Sequence, residues 1–300
     1  MSHPGLTVYT QPEHPLAGRY AIEREIGSGG MAYVVLATDL TTSEQVAVKV
    51  LRSELASTVS TERFLREIRI ASELRHPHIV PVRDSGSSGD LLFCVMPFID
   101  GETLHAKLAR RGALPLPEVL RLAEEIGGAL EYAHRHGIVH RDVKPDNVLL
   151  PGGVAVVTDF GLARAIEGDT GAMRITDAGM GLGTPTYVSP EQALGAGDVD
   201  ARSDQYSFAV MVYEMISGRP PFTGAAMQHV LAQHISTPPA PLTAICDVPR
   251  AVQKVVARGL AKSPNARFKS VKAFVDALVR AGSGSGRWWS LGGAFRPRDA

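Results

Sequence analysis

Cysteine is scarce. Cys94 and Cys246 are the only two in 300 residues, far apart and outside any Cys-x-x-Cys pattern, which excludes a disulfide framework and a cysteine-bound structural zinc. Net charge is absent: 31 Lys and Arg balance 31 Asp and Glu, so no global field draws the chain to nucleic acid or to anionic lipid. No apolar run reaches the roughly 18 residues of a membrane-spanning helix. The start, Met1-Ser2-His3-Pro4-Gly5, has neither the basic region nor the apolar core of a secretory signal. Internal repeats are lacking too. A soluble, cytoplasmic chain with reduced thiols is therefore expected. What is present is ordinary globular material, 44% hydrophobic and 21% charged. At roughly 150 residues per domain the length suits two domains or one large two-part fold.

Pro4, Pro12 and Pro15 mark residues 1–18 as an irregular lead-in. Strand-like runs at 20–26 and 34–39 flank Gly27-Ser28-Gly29-Gly30-Met31-Ala32, and a third follows at 45–51. In that third run Val46, Val48 and Val50 share one face while Ala47 and Lys49 share the other, because strand side chains repeat every two residues. Phe64, Ile68 and Ala71 predict a helix over 62–75, ending before His76-Pro77. Further strands are expected at 80–84 and 91–96. Pro97 to Gly101 then breaks the pattern and reads as a connection between lobes. The remainder is mostly helical: 117–136, with Val119, Leu122, Ile126, Leu130 and Ala133 on one stripe and Gly137 as its cap, then 203–217 and 250–260. The expected organisation is a lead-in at 1–18, a small α+β lobe at 19–98, a larger mainly helical lobe at 99–280, and a Gly/Ser-rich flexible tail at 281–300 carrying Arg287, Trp288 and Trp289.

A glycine-rich turn between strands, with a lysine on the next strand, suits a nucleoside triphosphate: glycines admit backbone N–H groups to phosphates and an ammonium neutralises them. A plain glycine hairpin with a surface lysine fits the same residues. The second cluster, His140-Arg141-Asp142-Val143-Lys144-Pro145-Asp146-Asn147, places an acid, two bases and an amide on one loop. After it a strand at 154–157 ends in Thr158-Asp159-Phe160-Gly161. A carboxylate and an amide oxygen suit Mg²⁺, a hard cation that keeps substrate phosphates in its shell.

In this order the motifs resemble those of eukaryotic-like protein kinases, and specifically the bacterial serine/threonine kinases, over about residues 20–278. The resemblance implies a two-lobed α+β kinase fold with the nucleotide in the cleft between an antiparallel-sheet lobe and a helical one. It implies that Gly27, Ser28, Gly29 and Gly30 cover the phosphates, that Lys49 in Val46-Ala47-Val48-Lys49 holds them, and that Glu67 pairs with Lys49 in the active state. Asp142 would accept or orient the acceptor's hydroxyl proton and Lys144 stabilise the transferring group. Asn147 and Asp159 would hold the metal. Ile26, Val34, Ala47 and Leu149 would enclose the adenine, with Met96, Pro97 and Ile99 in the hinge at its edge. ATP with Mg²⁺, or Mn²⁺, is the implied cofactor.

Gly183-Thr184-Pro185-Thr186-Tyr187-Val188-Ser189-Pro190-Glu191 resembles a peptide-docking loop, with Ser189 in place of the usual Ala. Together with Lys144 it implies serine and threonine hydroxyls of proteins as acceptors; the rivals are a small-molecule kinase and a catalytically silent pseudokinase. Asp204 matches an anchor of the catalytic loop, and Arg267 a partner for Glu191. Arg141 before Asp142 implies control by activation-loop phosphorylation, with Thr176 the first candidate for autophosphorylation and Thr170, Thr184 and Thr186 the alternatives. Two departures stand out. Ala32 occupies a usual glycine position, and Pro97 lacks an N–H at the start of the hinge. Many relatives continue into a membrane span and sensor domain; neither is seen within these 300 residues, which resemble a soluble kinase or an isolated catalytic region. A homodimer is compatible with the sequence, which carries no specific sign of one.

Overall fold

The computed structural model describes residues 16, 18–30, 32–52, 56–57, 59–89, 91–167, 185–196 and 199–284. Strands β1 (Tyr20–Ser28), β2 (Ala32–Asp39) and β3 (Gln45–Leu51) run antiparallel. The alternation in β3 comes out as expected. Val46, Val48 and Val50 are buried in a cluster with Val35, Ala37, Val95 and Tyr20, while Ala47 and Lys49 line the opposite, cleft-facing side. Leu16 packs into the same cluster, and its carbonyl accepts from the Tyr20 N–H.

Helix α1 spans Thr61–Ala71. Ser60 caps it by accepting from the Arg63 N–H, and Phe64, Ile68 and Ala71 face the core. It ends four residues before the expected position. The Glu73 and Leu74 N–H groups bond three residues back, to Ile70 and Ala71, which tightens the last turn, and Leu74 joins the core of the other lobe.

Two further strands complete a five-stranded sheet of order β1-β2-β3-β5-β4, with β4 at Asp84–Ser88 and β5 at Leu91–Pro97. The expected strand at 80–84 is not formed. Pro81 has no N–H to give a ladder, and the Val80 N–H instead reaches the Val157 carbonyl of the helical lobe. The Ser/Gly-rich segment after it pairs with β5, because β5 already offers an open edge beside the core.

Helices α2 (Leu104–Arg111) and α3 (Leu116–Arg135) open the second lobe. Two short strands, β6 (Val148–Leu149) and β7 (Val156–Val157), then pair antiparallel at the cleft. After α4 (Leu162–Glu167) and α5 (Pro190–Ala193) comes α6 (Ala201–Ser217), buried on every side from Ser203 to Ile216, which is the mark of a central helix. It packs against α3, α9 (Arg250–Gly259) and α10 (Val271–Ser283), with α7 (Met227–Ser236) and α8 (Leu242–Ile245) completing the lobe. Helix α10 runs three residues past the expected lobe boundary at 280. Among the described residues no helix is long and apolar enough to cross a membrane.

Candidate active site in the interlobe cleft

A cleft of about 1080 Å³ separates the lobes and draws together nearly all the motif residues. Its roof is the turn from β1 to β2. The Gly29 N–H bonds the Ala32 carbonyl at 2.9 Å, and Arg52 reaches back to the Gly29 carbonyl (2.9 Å) and the Ser28 hydroxyl (3.0 Å). A Cβ added at Gly27 or Gly29 would meet nothing in the protein closer than 3.6 Å. Neither position has a positive φ, so the fold itself does not require glycine there. What glycine keeps open is the approach of a ligand to the backbone. Ile26, Val34, Ala47 and Leu149 line an apolar end of the cleft beside Met96, Pro97 and Ile99. The Phe98 N–H is taken up by the Gln45 carbonyl.

Lys49 projects from β3 between Val34 and Cys94 on the neighbouring strands. Its Nζ lies 2.7 Å from Asp159 Oδ2. Burial opposes charge on both groups, yet the Asp159 charge and hydrogen bond raise the Lys49 pKa above its ordinary value. Burial likewise opposes the Asp159 carboxylate, and the same ammonium holds it below the usual carboxylate range. The second carboxylate oxygen, Oδ1, is buried with no hydrogen-bond partner. An orphaned anionic oxygen beside Asn147, on a backbone held at φ +71°, fits a cation ligand.

Glu67 is not where the resemblance implied. Its carboxylate does not pair with Lys49 and is not part of the cleft wall; it bonds Arg66 at 3.0 Å and lies 3.4 Å from the Arg164 Nε. The cause is α4, which packs against α1 with Leu162 and Ala165 in the cluster formed by Phe64 and Ile68. Gly161 abuts Ala71 so closely that a Cβ there would lie 2.9 Å from that of Ala71. Helix α4 thus presents Arg164 to Glu67, while Lys49 is left with Asp159.

The loop 140–147 is held from below. Asp204 accepts from the His140 and Arg141 N–H groups at 2.8 Å each, and His134 Nε2 lies 2.6 Å from it. Burial works against the charge on Asp204, and the His134 contact and these N–H donors keep its pKa low. His140 bonds the Thr158 carbonyl and meets the Phe160 ring edge-on, which ties the two halves of the site together. Above this anchor Asp142 Oδ2 lies 2.7 Å from Lys144 Nζ and 3.1 Å from Asn147 Nδ2. Asn147 turns its NH₂ toward Asp142 and so keeps Oδ1 for another partner.

Residues 185–188 line the same cleft. The Tyr187 hydroxyl donates to Glu214, Ser189 and Gln192 form a reciprocal cap, and Gln192 donates to the Arg141 carbonyl. Glu191 pairs with Arg267 at 2.8 Å through both oxygens. Thr170, Thr176 and Thr184 lie outside the described residues. Sequence reasoning did not single out Arg164, Arg52, His105 or Glu214; none belongs to a short motif, and only packing brings them to the site.

A sequence model of the protein kinase domain matches residues 20–278. The chain is 43% identical over 276 residues to the serine/threonine-protein kinase PknA of Mycobacterium tuberculosis, covering 89% of this chain and 62% of that one. It is 40% identical to PknB of Mycolicibacterium smegmatis, covering 92% and 44% respectively. The chain therefore spans less than two thirds of the length of these relatives. The crystal structure of the Mycobacterium tuberculosis PknI kinase domain superimposes with a TM-score of 0.68 at 32% identity, covering 87% of this chain and 96% of that one.

Proposed function

The chain belongs to the protein kinase family, and from that premise we propose that it transfers the γ-phosphoryl group of ATP to serine and threonine hydroxyls of proteins, in bacterial signalling. The observation that carries this reading is the buried, unpartnered Oδ1 of Asp159, set beside Lys49 and Asn147 under a glycine turn. Held beside the Lys49 ammonium and given no hydrogen bond by the protein, this oxygen is open to a ligand.

In this reading Asp142 accepts or orients the acceptor's hydroxyl proton, held by its bonds to Lys144 and Asn147. Lys144 and Lys49 neutralise the phosphoryl oxygens, and Asp159 with Asn147 Oδ1 would hold Mg²⁺ or Mn²⁺. Bound there, the metal neutralises charge on the phosphates. Ile26, Val34, Ala47, Met96 and Leu149 enclose the adenine, and Pro97 and Ile99 offer main-chain acceptors and a donor at its edge. Positioning and charge neutralisation suffice, since phosphoryl transfer needs little covalent help from the protein.

The arrangement of Glu67 describes a resting form: Lys49 pairs with Asp159, and Glu67 is occupied by Arg164. Entry into the active form exchanges these partners, and phosphorylation at Thr176 or Thr170 would favour the exchange.

Incubation with Mg-ATP and a generic protein acceptor, followed by site mapping, tests the acceptor class. Phosphoserine and phosphothreonine are expected, some of it on the chain itself at 168–184. Transfer to a small metabolite alone, with no protein phosphorylated, would overturn the reading.

A further inference from the structure

The peptide unit between Arg141 and Asp142 is pinned at both ends by side chains. Its N–H, that of Asp142, meets His140 Nδ1 at 3.3 Å, and its carbonyl, that of Arg141, accepts from Gln192 Nε2 at 2.8 Å. His140 Nε2 lies 2.8 Å from the Thr158 carbonyl, which only accepts, so that nitrogen carries the ring proton and Nδ1 is left as the acceptor. A peptide unit is planar. Fixing its two polar groups therefore fixes how the chain enters Asp142 and, with it, the direction of the Asp142 side chain. The His140 end belongs to the loop itself, whereas the Gln192 end comes from α5, just past the docking loop.

The turn needs to be held. Arg141 sits at φ +68°, the left-handed region that a residue with a side chain enters only under constraint. Two backbone bonds constrain it: the N–H to Asp204 Oδ1 at 2.8 Å, and the carbonyl to Gln192. Gln192 is 4% exposed and has no freedom to turn, because its Oε1 accepts from the Ser189 N–H at 3.1 Å and its own N–H is given to the Ser189 hydroxyl at 3.3 Å. Exchanging its amide oxygen and nitrogen would set donor against donor at Ser189 and acceptor against acceptor at Arg141. The neighbouring Glu191–Arg267 pair fixes α5 in turn. Gln192 is not part of the cleft wall, so whatever it does for the chemistry it does through Arg141.

We propose that Gln192 is a positioning residue for phosphoryl transfer: by holding the Arg141 carbonyl it keeps the strained turn in place and aims Asp142 at the acceptor hydroxyl. The inference rests on the reading of Asp142 as the group that accepts or orients that hydroxyl's proton. Because the same amide is clamped to Ser189, the end of the docking loop and the carboxylate that addresses the acceptor share one hydrogen-bonded frame.

Gln192→Met keeps the length of the side chain and removes both hydrogen bonds of its amide. The assay is single-turnover transfer from Mg-ATP to a generic protein acceptor, with ATP-binding sites titrated by calorimetry in the same samples and the wild type in parallel. The rate per ATP-binding site should fall about ten- to a hundredfold, the scale of a misplacement of about 1 Å. The Kd for Mg-ATP and the half-saturating acceptor concentration should stay within about twofold. A merely structural role would instead lower the number of ATP-binding sites and leave the rate per site alone; that result, or a loss confined to acceptor affinity, would overturn the proposal. If Gln192→Met does not fold, Gln192→Asn, an amide one methylene too short to reach Ser189 and Arg141 together, is held to the same expectation. A wild type that binds Mg-ATP and phosphorylates no protein would count against the kinase reading itself.

Discussion

Arg267 is the residue whose loss the structure prices most clearly. Its guanidinium is 2% exposed, and all five N–H donors are used: Glu191 Oε1 and Oε2 at 2.8 Å, and the carbonyls of Arg202, Ala261 and Lys262 at 2.7, 2.8 and 3.0 Å. Arg267→Ala leaves the Glu191 carboxylate, itself 9% exposed, with the Ser203 hydroxyl as its remaining side-chain donor. Removing one partner of a buried pair costs about 3–5 kcal/mol. For a domain of this size that lowers Tm by about 6–20 °C, at roughly 2–4 °C per kcal/mol. Arg267→Lys should be nearly as harmful, since three donors on a point charge cannot serve five acceptors in a plane. The double variant Glu191→Gln/Arg267→Met removes both charges and should be no less stable than Arg267→Ala, a coupling of about 2 kcal/mol or more. Urea unfolding followed by circular dichroism reads these beside the wild type and the single variants Glu191→Gln and Arg267→Met. Burial alone would raise the Glu191 pKa, and the Arg267 and Ser203 hydrogen bonds hold it below its ordinary 4.5. Stability from this pair is therefore present above about pH 4.5 and lost as pH falls below it, so wild type and variant should converge in acid. An Arg267→Ala protein within about 1 kcal/mol of wild type at neutral pH, or strictly additive single variants, would refute the reasoning.

Three further outcomes follow from the same structure. Arg164→Ala frees Glu67 from α4; because Arg164 is largely exposed its ion pair is worth only about 0.5–1 kcal/mol, so the initial rate of unphosphorylated protein should rise about two- to fivefold, and an unchanged or lower rate contradicts the partner exchange. His234 of α7, fully buried and held at about 4 against 6.5 unfolded, binds its proton in the unfolded chain first, so stability from it is complete above pH 6.5 and lost between 6.5 and 4, at most about 3 kcal/mol. The charged and titratable groups facing it, Lys262, Tyr206 and Arg267, stay protonated throughout that window, so chemical denaturation of His234→Phe should show a flatter profile there. Gly161→Ala places a Cβ 2.9 Å from that of Ala71 on a backbone at φ +81°, and should lower stability by about 1–3 kcal/mol in thermal unfolding.

Lys49, Asp142, Asn147 and Asp159 are legible in sequence because each lies in a short motif whose local backbone sets its spacing. Strand β3 is read to the residue, since a period of two with three valines on one face has only one good burial. Glu67 is also found on the buried face of its helix, but its partner is not, because the choice between Lys49 and Arg164 depends on how α4 packs beneath α1. The strand Asp84–Ser88 escapes notice for a related reason: Ser and Gly have low strand propensity, and pairing with β5 overrides it. Helix α6, expected at 203–217, forms two residues earlier, at Ala201, and is read from its continuous apolar run without a stripe, being buried all round. Gln192 is one residue in a short helix until the Arg141 carbonyl is seen at the end of its side chain.

The central claim is that Asp142, steadied by Lys144 and Asn147, serves the transfer step and not the holding of nucleotide. Asp142→Asn keeps the shape of the side chain and removes its basicity. Measured side by side for wild type and variant, the Kd for Mg-ATP should agree within about twofold while phosphate transfer to protein falls at least about 100-fold. Transfer retained at the wild-type rate in Asp142→Asn would contradict the account.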